Sequence, residues 1–271
     1  MQQLGISAVH PNATTAFSVL LLYSAPIDLD AACARIPQKW PGNWTAPSWA
    51  EGTDGAGRIL QFKAGEVWVL LSPFNDVFSP DRGKLPPHEF FVVASFFPTP
   101  EAKIPTKPGM LPEVPEQGGK ENAAQLRARH FTVAAHTIYT QVADALLEEP
   151  AAIGAFRAEL GVVQPPEMVH ELAQLLTEGQ VPLPLWVNVR TLASGFGRTF
   201  GLPIFGHLDL EVTAASPETS YELLANAANY VVSGDAYLLP GQTLSLGTGN
   251  PVTLTQEIST VDGATVIKLA N

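Results

Sequence analysis

The sequence predicts an α+β fold of interleaved β-α-β units, with mixed or antiparallel sheets and an arrangement open to two ferredoxin-like halves packed together. Three observations lead there. A β-rich run, a helical pattern and two more β-rich runs fill roughly the first seventy residues. The same β-α-β cycle recurs from residue 130 onward. Beyond Gly234 the chain reads as short strands closed by a hairpin signal. A chain of 271 residues with 46% hydrophobic content buries a sizeable core, as one large domain or as two small ones fused closely.

Each element has a local reason. The apolar run FSVLLLY, Phe17 to Tyr23, is a buried strand. In PIDLDAACARIPQKW, Leu29, Ala32, Cys33 and Ile36 share one helical face, with Asp28 as N-cap and Pro37 as the stop. That face turns Cys33 inward as a small buried hydrophobe, with no histidine or basic group placed to activate it. Two short β runs, Ile59 to Phe62 and Val67 to Leu71, flank a tight turn at Lys63-Ala-Gly-Glu66. From Ser72 to Lys120 ten prolines surround one apolar strand, Phe90 to Phe97, so two long loops flank it.

The second cycle opens on HFTVAAH, read as a strand, and continues through a helical pattern at Ile138, Val142 and Leu146 to a short strand from Ala152 to Ala158. PPEMVHELAQLLTEG is a helix with prolines at its entry, Val169, Leu172, Leu175 and Leu176 on one side and Gly179 as its stop. A β-rich run, Leu185 to Leu192, follows. In SPETSYELLANAANYVVSG, Ser216 caps a helix, Pro217 opens it and Gly234 closes it. Its stripe is Tyr221, Leu224, Ala225, Ala228, Val231 and Val232. Asp262-Gly263 then gives a type I′ hairpin signal.

Composition removes several function classes. A formal net charge of −11, with no clustered stripe of Lys or Arg, repels phosphate backbones, so nucleic acid is not the expected partner. The single cysteine, Cys33, forms no intramolecular disulfide and asks for no oxidising compartment, so a cytoplasmic protein is expected. The Phe17 to Tyr23 run is too short to span a bilayer and has no cationic segment before it, so neither a membrane span nor a signal peptide is expected there.

The segment GLPIFGHLDLEV, Gly201 to Val212, is the densest in chemistry-bearing residues. If Leu208, Leu210 and Val212 face the core, strand alternation places His207, Asp209 and Glu211 together on the other face, each about 7 Å from the next. A histidine and carboxylate so spaced serve a two-histidine, one-carboxylate metal site when a second histidine arrives from elsewhere; otherwise the face is a solvated strand surface. Within HFTVAAH, His130 and His136 share a strand face but stand about 20 Å apart, too far for one ion. His170 sits mid-helix with no histidine four residues away, which excludes the H-E-x-x-H zinc arrangement. SGFGRTFG lacks the last glycine of a dinucleotide-binding loop and leads into a strand; nucleophile-elbow and P-loop signatures are absent. WPGNWTAPSW puts Trp40, Trp44 and Trp49 in one loop, where they either anchor a partner or pack the loop onto the core.

The runs PLPLWVNVR and TFGLPIFGHLDLEV, followed by the helix ending in NYVVSGDAYLLPGQTLSLG, resemble a bacterial domain of unknown function, family four-two-six-one, best over residues 130 to 271. The resemblance implies a shared fold and brings no catalytic residue. On this basis a division into 1–115 and 116–271 is expected. The leading functional expectation is a non-enzymatic binding or protein-interaction module using no cofactor or metal. Its partner is a protein or small molecule, and it is a monomer or small homo-oligomer. The alternative is a metal-dependent or acid-base enzyme using His207, Asp209 and Glu211.

Overall fold

The computed structural model describes residues 16–52, 57–81, 83–102, 104, 123–245 and 251–270. It has two mostly antiparallel sheets interleaved with helices, an α+β fold. Two compact units emerge from it: described residues of 16–104 and 131–185 group in one, and those of 123–130 and 186–270 in the other. The expected boundary at 115/116 lies outside the described residues. Both units draw on sequence-distant segments because the second β-α-β cycle adds its strands to the first sheet.

The first unit starts with β1 (Phe17–Tyr23) and α1 (Leu29–Lys39), continues through β2 (Ser48–Glu51), β3 (Arg58–Ala64), β4 (Val67–Phe74) and β5 (Phe90–Pro98), and resumes at Phe131 within α2 (Ala123–Leu146). It closes with β6 (Ala152–Arg157), β7 (Val162–Gln164) and α3 (Pro166–Ala173). The strand order is β2-β3-β4-β5-β1-β6-β7, every neighbour antiparallel. Within it the order β4-β5-β1-β6, served by crossovers through α1 and α2, is the ferredoxin-like arrangement. β1 is central, which is why its sequence is apolar almost without alternation. The β3–β4 hairpin turns at Gly65, whose φ of 58° favours glycine.

In α1, Asp28 accepts the Ala31 N–H at 3.0 Å, and Leu29, Ala32, Cys33 and Ile36 are the buried set. Pro37 lies inside the helix, which runs on to Lys39; the hydrogen bond it removes falls in the last turn, where the cost is small. Burial, with Asp30 nearby, pushes the Cys33 thiol up to about 12, so thiolate is scarce at neutral pH. Native protein is therefore expected to resist a thiol reagent at pH 8 over an hour and to react completely once unfolded in guanidinium. Rapid native labelling would mean that the thiol is reached and ionised within the folded protein.

HFTVAAH is helix, not strand: it lies inside α2. Ala128, Phe131, Thr132, Ala135, His136, Tyr139, Val142, Ala143 and Leu146 are all buried, a three-to-four spacing that runs straight through the segment. Seven residues held too short a window to show that period. His130 and His136 consequently stand about 9 Å apart along the axis, on different sides of the helix, with His130 exposed and His136 buried.

The second unit carries β8 (Asn188–Thr191), β9 (Phe196–Phe200), β10 (Leu210–Thr213), α5 (Pro217–Ser233), β11 (Thr243–Leu244), β12 (Val252–Ile258) and β13 (Thr265–Ala270). The expected run from Leu185 to Leu192 is shorter as strand, because a helical turn, α4 (Leu183–Trp186), takes its first residues. The sheet order is β11-β12-β13-β10-β9-β8, antiparallel except where β10 meets β13 in parallel, so this half is not ferredoxin-like. The parallel pair is joined by a crossover through α5, which packs on β8, β9 and β10. Gly197 permits the approach: a Cβ there would stand 2.8 Å from Leu224 Cδ1. Ser216 caps α5 through the Thr219 N–H at 3.2 Å. Its buried stripe is Ser220, Leu224, Ala227, Ala228, Val231 and Val232; Tyr221 is exposed, since the stripe is rotated toward the small residues. The β12–β13 hairpin is present, but its connection spans residues 259–264 with Ser259 N–H donating to Ala264 O at 2.8 Å, wider than a two-residue turn.

Candidate functional site

The glycines and proline of Gly201 to Val212 build a turn. Residues Leu202–Phe205 form one 3-10 turn between Gly201 at φ 114° and Gly206 at φ 76°. Both angles are ones that glycine alone adopts freely. β10 begins only at Leu210, so His207 and Asp209 precede it. Leu208, Leu210 and Val212 are buried as alternation predicts, but His207 and Glu211 are buried too.

The three side chains each make their own hydrogen bonds, and Asp209 and Glu211 share the charge of Arg198. His207 donates from Nδ1 to Leu208 O at 2.6 Å and accepts the Leu238 N–H on Nε2 at 3.0 Å, with Tyr237 stacked at 5.9 Å. Burial holds its pKa down to about 4, so it is a neutral imidazole with both nitrogens used. Asp209 accepts from Thr199 Oγ1 at 3.1 Å and the Leu202 N–H at 3.3 Å, and burial raises its carboxyl to about 7. Glu211 accepts from the Ser259 hydroxyl and lies 3.4 Å from Arg198 Nη1. The same Nη1 also reaches Ser259 at 2.7 Å and Asp262 at 2.8 Å. Among the described residues no group of three His, Cys, Asp or Glu is placed to hold a metal ion.

Other histidines repeat the pattern. His136 donates from Nδ1 to Thr132 O at 2.8 Å and accepts from Arg157 Nη2 at 3.0 Å; desolvation by burial, then the Arg157 charge, hold it well below the usual imidazole range. His88 donates to Pro86 O at 2.8 Å and accepts from Phe78 N–H at 2.9 Å. His130 pairs with Asp235 at 2.6 Å on the surface. His170 differs: its Nδ1 is 2.6 Å from the buried Asp144, which also accepts from Trp40 Nε1 at 2.9 Å and pairs with Lys39 at 3.0 Å. Nothing local in the sequence signalled this pair, whose members lie on α2 and α3, 26 residues apart.

The three tryptophans separate. Trp40 is core, bonded to Asp144. Trp49 sits in β2, donating to Asp30 at 3.0 Å with Arg58 stacked on it at 4.8 Å. Trp44 walls a cavity of about 290 Å³, floored by Cys33 and Ile36, flanked by Phe62 and lipped by Pro37 and Pro47.

Residues 198–270 match the family model described as a domain of unknown function, DUF4261, a span within the stretch expected from the sequence. It takes in His207, Asp209 and Glu211, while Trp44, Asp144 and His170 lie outside it. No curated protein and no solved structure matches the chain.

Proposed function

We propose that the chain acts by binding a protein or small-molecule partner, without turnover of its own and without nucleic acid, membrane or metal. One observation carries the reading. Of the residues best suited to acid-base or metal chemistry, His207 has both ring nitrogens bonded inside the fold, and Asp209 and Glu211 each hold one carboxylate oxygen on internal donors. A general base must instead reach a substrate proton within hydrogen-bond distance. The compartment that goes with this reading is the bacterial cytoplasm, where one buried thiol needs no oxidant. No described helix is long and apolar enough to cross a membrane.

A second reading rests on His170, whose Asp144 partner orients the imidazole as a carboxylate orients a general base. One assay separates the two. Purified chain is incubated with a bacterial metabolite extract and an equimolar amount of each depleted compound is followed by mass spectrometry. Binding removes at most one equivalent per chain and leaves no product. Depletion beyond one equivalent, with a product that fails to form in His170→Ala, would establish turnover. Elemental analysis of protein purified without chelator or affinity metal is expected to find no stoichiometric metal. Zinc, iron or manganese lost in both His207→Ala and Asp209→Ala would replace binding with metal chemistry.

A further inference from the structure

We infer that the cavity walled by Trp44 binds a small neutral molecule, largely apolar and planar, that carries a single hydrogen-bond acceptor. This rests on the binding reading above and names the ligand class.

The cavity is held open by bonds made elsewhere. Trp44 is fixed by an isolated β-bridge to Ala64, by its indole N–H donating to Trp40 O at 2.7 Å, and by Phe62, whose ring lies 6.1 Å away at a tilt of 58°. On either side, Thr45 N–H donates to Lys63 O at 2.9 Å and Gly65 N–H to Asn43 O at 3.4 Å. Gly42 lets the chain pass the indole edge, since a Cβ there would sit 3.3 Å from Trp44 Nε1. The aromatic wall is therefore in place before a ligand arrives, which limits the ordering cost of binding.

The lining sets the chemistry. None of the nine residues around the cavity, Cys33, Trp44, Thr45 and Phe62 among them, carries a formal charge. An ion entering would lose its hydration without a counter-charge. The Trp44 donor is already used, so the indole offers only its face and edge. Thr45 is the remaining polar group: its oxygen accepts the Lys63 N–H at 2.8 Å, which leaves the hydroxyl proton for one acceptor. A volume near 290 Å³, at about 30 Å³ for each water-sized share, takes roughly ten non-hydrogen atoms. A bicyclic aromatic with one carbonyl or ring oxygen fits both limits.

The test uses full-length protein with 2-naphthol and coumarin as neutral probes and naphthalene-2-carboxylate as a charged one, followed by saturation-transfer NMR and tryptophan fluorescence. Coumarin is expected to bind one site with a dissociation constant on the order of 0.1 mM, and the carboxylate at least tenfold more weakly. Ala46→Trp and, separately, Ala34→Phe fill the cavity from exposed positions and should abolish coumarin binding while leaving the circular dichroism spectrum and melting temperature unchanged. Absence of saturable binding by either neutral probe, binding unaltered in both filled variants, or equal affinity for the carboxylate would each overturn the inference. If the probes fail while the extract assay still shows stoichiometric depletion, or while a purified partner protein is lost by Ala46→Trp, the ligand class falls and the binding reading survives. If neither experiment finds a bound species, both fall.

Discussion

Replacing Arg157 with methionine is expected to destabilise the first unit by about 3–5 kcal/mol, a large effect for one substitution. The guanidinium is fully buried. Its Nη1 donates to Leu185 O at 3.2 Å, its Nη2 to His136 Nε2 at 3.0 Å and its Nε to Glu159 at 2.9 Å, and its Cζ lies 5.4 Å from the ring centroids of both Phe17 and Tyr139. Methionine keeps most of the volume and removes every donor. His136 Nε2 then loses the Arg157 donor, and Leu185 O keeps only Gln164 Nε2 at 3.1 Å, so two buried acceptors forfeit a hydrogen bond that water cannot replace. Lys63→Met is the control, because its pairing with Glu101 at 3.7 Å is exposed and screened by water, so only a small loss is expected. Urea unfolding at pH 7 gives both values. Equal losses would show that the Arg157 network contributes no more than a surface ion pair.

Asp209→Asn is expected to stabilise the protein at pH 8 by about 2 kcal/mol and to make it more sensitive to acid. His207 and Asp209 act with opposite signs. The His207 pKa is lowered to about 4 by burial, so as pH falls through 6.5 the unfolded chain takes up the proton first. Its contribution is full above pH 6.5 and is lost down to pH 4, and His136 acts in the same direction. Asp209, raised from 3.8 to about 7 by burial, binds its proton in the folded state first. Its contribution is present below pH 3.8 and is lost as pH rises through 7. Asparagine keeps the oxygen that accepts from Thr199 and Leu202 and removes the charge. Asp209 is half-buried, so water already screens part of the cost of its charge and the gain stays at about 2 kcal/mol. Urea midpoints at pH 8, 6 and 4.5 decide it; a variant less stable than wild type at pH 8 would mean that the folded carboxylate is already well compensated.

Elements whose causes are local were legible. β1 announces itself as an apolar run, and α1 and α5 carry their caps, Asp28 and Ser216, beside their apolar faces. HFTVAAH reads as strand because helix and strand compete over a seven-residue run, and the helical period emerges only with the flanking turns of α2. In Gly201 to Val212 alternation placed the leucines correctly, yet the opposite side is no solvated face. It is closed by Arg198, Ser259 and Leu238, and no local pattern in the segment encodes them. The same limit hid Asp144 behind His170 and the wall that Trp44 forms over Cys33, since each is created only when separate helices and strands meet.

The most direct measurement is the imidazole nitrogen spectrum of histidine-labelled protein between pH 8 and pH 5. If the polar residues of Gly201 to Val212 are structural, His207 remains neutral throughout with its proton on Nδ1, as the bonds to Leu208 and Leu238 require, and His136 behaves alike. Titration of His207 near pH 6.5, or a proton found on Nε2, would mean that this imidazole is open to solvent and free for acid-base or metal chemistry.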